Sequence, residues 1–263
     1  MLIGILYFFI ILLVISISAM AGISGGVVLR PIFDLIGYHD VREIAFYMAV
    51  AIITMTIAST LKQLKLGTKI KFNKALTLAI GAVTGGWLGQ EVLHLLNDSV
   101  NSEAIQMFQN VVSILILLVI IATMRPGIKT YQLKGRFLDV LTGFGLGSLA
   151  SVLSIGGGPI NVAAFTILFG ISLKEATVYS ITTIFFTQLA RMITMAKAPD
   201  GLAIFDMSLL WFIIPAAIFG GYVGGKLNVQ ASEAQVAKIF KAVVISTILI
   251  NVWNAITFGL SLI

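Results

Sequence analysis

Two short glycine clusters interrupt this apolar chain about half its length apart. The first cluster reads Gly22-Ile-Ser-Gly-Gly-Val-Val-Leu-Arg-Pro31, and the second reads Ser154-Ile-Gly-Gly-Gly-Pro-Ile-Asn161. Each cluster follows a long apolar segment and precedes a short one. Glycine breaks at matching places in two hydrophobic halves are typical of the binding site of a membrane transporter. We therefore expect two related halves that enclose one central site.

The composition places the chain in a lipid bilayer. Hydrophobic residues make up 59% of its 263 residues and charged residues only 11%, whereas a soluble domain carries about 25% charged residues. We predict an all-α, multi-pass protein of the cytoplasmic membrane. The first segment, 2–21, has neither a basic n-region nor a clear cleavage site, which favours a retained helix over a signal peptide.

Several kinds of site are excluded by the residues that the chain lacks. It has no cysteine, which rules out disulfides, thiol catalysis and cysteine-based metal sites. Its formal charge of +6 comes from lysines between apolar segments, where the positive-inside rule explains them without nucleic acid. Both histidines, His39 and His94, fall in predicted loops, and no acid lies deep in a long apolar segment. We predict no metal, no cofactor and no catalytic centre.

The apolar segments differ in length in an informative way. There are ten of them, at 2–21, 26–37, 44–61, 75–96, 105–124, 137–153, 158–171, 176–196, 207–225 and 236–262. Because a helix needs about 20 residues to cross the bilayer, eight segments are predicted to span. The two short ones directly follow the glycine clusters. Such segments are tolerated at membrane depth only inside protein or beside a wet cavity, so both are predicted to be half-helices or re-entrant arms.

The two halves share more than the glycine clusters. Glu43-x-x-x-Tyr47 recurs as Glu175-x-x-x-Tyr179, and Gly85-Gly-Trp-Leu-Gly89 resembles Gly220-Gly-Tyr-Val-Gly224. The order of these features is the same in both halves. We predict a duplicated unit of five segments, with repeats at 1–124 and 137–263 and a cytoplasmic joint at 125–136.

The charges between segments predict the orientation. The loop at 62–74 carries lysines and no acid, whereas the loop at 91–104 carries acids and neither lysine nor arginine. The positive-inside rule then places 62–74 and the joint in the cytoplasm and 91–104 outside. By the same rule 197–206 is external and 226–241 is cytoplasmic. This pattern favours inverted repeats, and parallel repeats are the alternative.

The glycine clusters themselves predict an anion site. Each would open a short helix whose first amides have no partner within the helix and whose dipole is positive at that end, which suits an oxyanion. The candidate contacts are the backbone around these breaks and nearby polar side chains: Ser24, Gly25, Gly26, Ser154, Gly156, Gly157, Gly158 and Asn161. The alternative is that glycine only permits close helix crossing. That alternative is our interpretation of Gly85, Gly86, Gly220 and Gly221.

Arg30 is the most informative charged residue. It follows the first break by one helical turn, where an unpaired cation is costly at membrane depth. Three roles are open: an ion pair with Asp34 four residues on, a contact to a bound anion, or a position at the membrane interface.

One later segment, 176–196, carries a polar stripe at helical spacing. The stripe consists of Ser180, Thr183, Thr187 and Arg191, and Gln188 borders it. It predicts either hydrogen bonds between helices with a snorkelling arginine or one wall of a pathway that faces the second glycine break. Glu43 and Glu175 are interpreted as first-turn acids that complement helix dipoles, with a role in gating or proton coupling as the alternative.

At these motifs the chain resembles the TauE/SafE family of sulfite and organosulfonate permeases, also called the toluene-sulfonate uptake permease family. That family carries Gly-x-Gly-Gly-Gly-x-x-x-x-Pro near the start of each half, followed by an Ala-x-x-Thr-Ser-like helix. Here Ser24 replaces the middle glycine of the first copy, and Ser154 and Ala163 replace the first glycine and the proline of the second. Ala176-Thr-Val-Tyr-Ser180 keeps the serine. The resemblance implies transport of sulfite, sulfonates or related sulfur-containing anions.

The sequence therefore predicts a secondary transporter for a sulfur-containing anion such as sulfite or sulfoacetate, with proton coupling as one source of driving force. An anion channel and a membrane scaffold subunit without transport activity are the alternatives. The direction of transport, the exact substrate and the oligomeric state do not follow from the sequence.

Overall fold

The chain is helical throughout the part that can be described. The computed structural model describes residues 2–100, 102–124, 128–153, 156–197 and 201–261. Within these ranges the helices are joined by turns and short irregular segments, and there is no β-strand. The expectation of an all-α protein is thus confirmed for these residues.

Ten α-helices match the ten predicted segments in order. They are α1 (Leu2–Ala21), α2 (Gly26–Ile36), α3 (Val41–Lys65), α4 (Phe72–Ser99), α5 (Ser102–Thr123), α6 (Arg136–Val152), α7 (Gly158–Phe169), α8 (Leu173–Lys197), α9 (Leu210–Gln230) and α10 (Glu233–Ser261). A 3₁₀ turn, Met207–Leu209, precedes α9.

Two predictions about loops are wrong. The segment 91–104 was expected to be an external loop, but α4 continues to Ser99 and α5 begins at Ser102. His94 therefore lies in α4 and not in a loop. Residues 91–99 contain no proline that would end the helix. Gly89, just before them, is an isolated glycine, which a helix tolerates.

Five stretches of the described helices are long and apolar enough to cross a membrane. They are Leu2–Ala21, Arg42–Lys65, Ala104–Thr123, Met207–Gln230 and Glu233–Thr257. The prediction of eight spans goes beyond this number and stays a prediction.

The ends of α2, α3 and α7 are set by local sequence. Asp40 caps α3 through a capping box in which its carboxylate accepts from the Glu43 amide at 2.8 Å and the Glu43 carboxylate accepts from the Asp40 amide. Glu175 likewise lies in the first turn of α8, so both acids occupy first turns as expected. The short helices α2 and α7 are instead bounded at both ends by glycines in the left-handed region, where glycine carries no steric penalty.

Helices α4 and α6 pack tightly side by side. Gly81 of α4 lies against Val140 of α6, and Gly85 lies against Phe144 further along. Because the residue numbers of the contacting pairs increase in the same direction along both helices, α4 and α6 run parallel. Small residues at such contacts let the two backbones approach closely.

Helices α1 and α9 form a second parallel pair of the same kind. Gly220 of α9 lies against Leu12 of α1, and Gly224 lies against Ser16. Helix α3 also runs parallel to α9, since Gly221 lies against Met55 of α3 and Gly225 lies against Ser59 further along.

One end of the bundle collects lysines, and we call it the lysine end. Here Lys62 of α3 donates to the Tyr222 hydroxyl of α9 at 2.8 Å, and Lys174 of α8 donates to the Val229 and Ala231 carbonyl oxygens. Helices α4, α6, α8 and α10 begin at this end, and α3 and α9 finish here. Helix α1 therefore runs toward the lysine end and α6 runs away from it.

Two hydrophobic clusters flank the middle of the bundle. One joins α1, α2, α3 and α9 around Tyr7, Phe33, Ile52, Met55 and Ile213. The other joins α4, α5, α7, α8 and α10 around Leu78, Leu117, Phe165, Tyr179 and Phe240. The first glycine break joins the clusters: a Cβ added to Gly26 would lie 3.3 Å from Ile52 of the first cluster, and Ile23 belongs to the second.

Candidate functional site

The two glycine breaks contact each other in the middle of the bundle. A Cβ atom added to Gly158 would lie 2.7 Å from the Ile23 Cα and 2.8 Å from the Ser24 amide nitrogen. One added to Gly156 would lie 2.8 Å from the Ser24 Oγ. The structure thus brings together the two motifs that the sequence singled out.

Each break has the same backbone geometry. Gly25 precedes α2 with φ 74° and ψ −25°, and Gly157 precedes α7 with φ 77° and ψ −28°. Residues other than glycine rarely adopt this left-handed conformation. The glycines are therefore required to turn the chain from the preceding helix into the short one.

Helices α2 and α7 leave this contact in opposite directions. Helix α2 runs away from the lysine end, and its Phe33 stacks on Tyr7 near the start of α1 with ring centroids 4.4 Å apart. Helix α7 runs toward the lysine end, where Lys74 lies over the Phe169 ring at 3.5 Å. Both positive helix ends consequently lie at the centre. At the start of α7, however, the Gly158 amide donates to the Gly156 carbonyl oxygen and Pro159 has no amide hydrogen.

Ser24 is the central polar side chain without a visible partner. It is completely buried, and its hydroxyl makes no hydrogen bond with any residue that the structure describes. Because buried hydroxyls nearly always have a partner, its position at the contact of the two breaks makes Ser24 a candidate ligand contact. Asn161, on the first turn of α7, is also buried, with 5% exposure. Ser154 lies outside the described residues.

The hydroxyl groups of the α8 stripe are used within the protein. Ser180 donates to the Gly22 carbonyl oxygen at 2.7 Å, so it holds the first break in place. Thr183 donates to the Tyr179 carbonyl and Thr187 to that of Ile184, each on its own helix at 2.9 Å. Gln188 differs from them, because it is buried and its Oε1 has no partner.

Two arginines lie near the breaks, on different helices. Arg30 of α2 and Arg191 of α8 are both exposed. Arg30 also pairs with Asp34 at 3.8 Å, with side chains 47% and 48% exposed. Both arginines lie between the breaks and the end opposite the lysines, and Gly156 at the break is exposed as well.

The comparison with known families decides the class of the protein. The family model described as sulfite exporter TauE/SafE matches residues 7–250. The chain belongs to the TauE/SafE family. A curated relative, "Probable membrane transporter protein YunE" of Bacillus subtilis (strain 168), is 24% identical over 253 residues, which cover 88% of this chain and 90% of the relative. No solved structure matches the chain.

Membership of the TauE/SafE family confirms the resemblance found in the glycine motifs. It makes the chain a multi-pass protein of a membrane transporter family, and such a family implies transport and not enzymatic catalysis. In the described part of this TauE/SafE protein, no group of three or more histidine and acidic residues could hold a metal ion.

A second buried polar cluster escaped the sequence analysis. His39 follows α2, and its Nδ1 lies 3.2 Å from the Glu43 carboxylate, while its ring packs against Tyr7, Tyr38 and Tyr47. The His39 Nε2 and the Tyr7 hydroxyl are buried without partners. The sequence places His39 in a loop, correctly, but nothing local to it indicates that the loop folds inward onto three tyrosines.

The end of the bundle near this cluster also holds Asp206. The Tyr47 hydroxyl donates to the Asp206 carbonyl oxygen at 3.2 Å, and the Ser208 amide donates to the Asp206 carboxylate at 2.8 Å. Hydrogen bonds from Ser208 hold the pKa of the Asp206 carboxyl below its ordinary value. The hydrogen bonds to Ser208 therefore stabilise the fold above the pKa that the Asp206 carboxyl has in the unfolded chain. This stabilisation is lost as the pH falls through the lower pKa that the carboxyl has in the folded protein.

Proposed function

We propose that this TauE/SafE protein is a secondary transporter that moves a small sulfur-containing anion, such as sulfite or sulfoacetate, across the cytoplasmic membrane. The observation that carries the proposal is the meeting of the α2 and α7 N-termini around the buried, unpartnered hydroxyl of Ser24. Amides at Gly25, Gly26 and Gly157 would surround the anion, whereas the Gly158 amide already donates to the Gly156 carbonyl oxygen at 3.0 Å.

The charges near the breaks support an anionic substrate. Each helix N-terminus contributes about half a positive charge. Arg30 and Arg191 lie on the same side of the breaks, so both positive charges would attract an anion that approaches from there. Together with Asp34 the two arginines leave one positive charge, which suits a monoanionic sulfonate.

Polar side chains would complete the site. Asn161 on α7 and Gln188 on α8 are buried, and the NH₂ groups of their side-chain amides would donate to the anion. Ser180 and Thr183 would act through the backbone they hold, since their hydroxyls already donate to Gly22 and Tyr179.

The helix directions support inverted repeats. Helix α1 runs toward the lysine end and α6 runs away from it, although each is the first helix of its half. The first helix of each half also packs in parallel on the fourth helix of the other half, as α1 on α9 and α6 on α4. We infer that alternating access comes from movement of one such unit against the other around the central breaks.

Uptake into proteoliposomes tests this proposal. Labelled sulfite, sulfoacetate, taurine and sulfate are offered in turn, with and without a pH gradient. Saturable movement of one sulfur anion is expected, and its response to the gradient shows whether protons are coupled. Unsaturated electrical conduction without coupling would instead indicate a channel. No movement of any anion by folded protein would contradict the proposal and favour the scaffold alternative.

Two matched serine variants identify the site within the same assay. Ser24→Ala should raise the KM about 10- to 100-fold, because a hydrogen bond to a charged group contributes about 1.5–3 kcal/mol. Ser113→Ala removes another buried hydroxyl without a partner, on α5, and should leave the KM unchanged. Neither change should lower the Tm, since neither hydroxyl has a partner to lose. An equal KM for both variants would exclude Ser24 from the site.

A further inference from the structure

A basic cavity opens at the lysine end, between the first turns of α4 and α6. Its volume is ≈ 570 Å³, and its lining residues are Lys71, Phe72, Asn73, Lys74, Gly135, Arg136 and Asp139. We propose that this cavity binds the phosphate headgroup of an anionic phospholipid. The proposal is independent of which substrate the protein carries.

The cavity has an excess of positive charge that the protein does not neutralise. The lining holds three cations, Lys71, Lys74 and Arg136, and one acid, Asp139, which is buried and lies 3.8 Å from the Lys74 amine. A second acid, Glu175, also acts on Lys74. Lys74 is further fixed over the Phe169 ring at 3.5 Å. Lys71 and Arg136 are exposed, so their charges remain for a ligand. Basic pockets between membrane helices are typical binding sites of anionic lipid headgroups.

Backbone donors line the same cavity. Helices α4 and α6 both begin here, after Lys71 and Gly135, and neither helix has a side chain that caps its first amides. Helix α3, by contrast, has the capping box of Asp40. Phosphate oxygens could accept from the free amides of both helices, because the close packing of α4 on α6 keeps the two helix ends together.

The surroundings favour a lipid over a free anion. Phe72 and Phe137, beside the cavity on the first turns of α4 and α6, are 66% and 77% exposed. Large apolar side chains next to cations match a molecule with a charged head and an apolar tail. The cavity lies next to the end of α7, because its lining residue Lys74 lies over the Phe169 ring. At 1.5 Å per residue, the length of α7 places this end about 16 Å from the central breaks. A lipid here would therefore not occupy the proposed substrate site.

Thermal unfolding in an uncharged detergent tests the proposal. Short-chain phosphatidylglycerol is compared with phosphatidylcholine of the same chains, and inorganic phosphate and sulfite are tested separately. Phosphatidylglycerol alone should raise the Tm, by about 2–4 °C at saturating lipid. The double variant Lys71→Gln/Arg136→Gln should lose this rise. The control Lys238→Gln/Lys241→Gln, which removes two exposed lysines of α10, should keep it.

Three outcomes would overturn the proposal. One is a phosphatidylglycerol effect that survives in the Lys71/Arg136 variant, and another is a wild-type Tm that does not respond to the lipid. The third is an equal rise with inorganic phosphate or sulfite, which would make the cavity a site for free anions. Both changed residues are exposed, so the lipid-free Tm of the double variant should equal that of the wild type and show that it is folded.

Discussion

Among the candidate site residues, Arg30 is the one whose possible roles the structure narrows most. Its ion pair with Asp34 is present at 3.8 Å, but both side chains are about half exposed. Such pairs contribute about 0–1 kcal/mol to stability. A large effect of changing Arg30 would therefore have to come from something other than the loss of this pair.

We predict that Arg30→Gln raises the KM for the transported anion about 10-fold or more, because it removes a charge beside the central breaks. Asp34→Asn is the control: it breaks the same ion pair but leaves the arginine, so the KM should stay the same or fall. Initial uptake rates over a range of anion concentrations measure both values. An equal rise of the KM in both variants would mean that Arg30 acts through its ion pair with Asp34 and does not contact the anion.

Two serines show what the sequence could not predict about individual residues. Ser24 and Ser180 are both candidate ligands from the sequence, Ser24 as part of the first glycine cluster and Ser180 as part of the polar stripe on 176–196. The structure separates them: Ser180 donates to the Gly22 carbonyl, whereas Ser24 has no partner. The difference depends on which backbone carbonyl comes within reach after folding, and residues far apart in the chain decide that.

Among the elements, helix α6 carries glycines on two opposite sides. Gly143 and Gly147 face α4, where an added Cβ would collide with the carbonyl oxygens of Leu78 and Ala82. Gly145 has nothing within 4 Å of an added Cβ. The same helix thus offers a site that requires glycine and one that does not.

We predict that Gly147→Ala destabilises the protein by about 1–3 kcal/mol, as overpacking does in well-packed cores. Gly145→Ala should be neutral or stabilising by up to about 1 kcal/mol, because alanine favours the helix more than glycine does. The Tm of each purified variant in detergent measures the effect. Similar Tm values for the two variants would mean that α4 and α6 do not pack as closely as described.

The order of the elements could largely be predicted from the sequence. Apolar length and glycine punctuation are local properties, so all ten segments and both short helices appear at the expected places. The extension of α4 through 91–99 was missed because polar residues at a helix end resemble a loop. Which helices pack together was not predicted, since the segments of the α1–α9 and α4–α6 pairs are far apart in the chain.

For the whole molecule, the two halves differ in chemistry more than in architecture. The short helices share their glycine geometry at both ends, but the position of Arg30 on α2 corresponds to Val162 on α7, which is buried. Charge near the centre therefore comes from the side of the breaks on which Arg30 lies. An anion entering from that side would meet Arg30 and Arg191 before the helix ends.

The orientation of the whole bundle can be tested directly, because the natural chain has no cysteine and each variant below carries one. Lys65, Lys238 and Met207 are exposed, with the two lysines at the lysine end and Met207 at the other. In intact cells an impermeant maleimide should label Met207→Cys, whereas Lys65→Cys and Lys238→Cys should react only after permeabilisation. Labelling of the two lysine positions from different sides would require parallel repeats and contradict the helix directions. If all three positions were labelled from the opposite side, the fold would stay as described and only its orientation in the membrane would be inverted. The positive-inside rule predicts against that orientation.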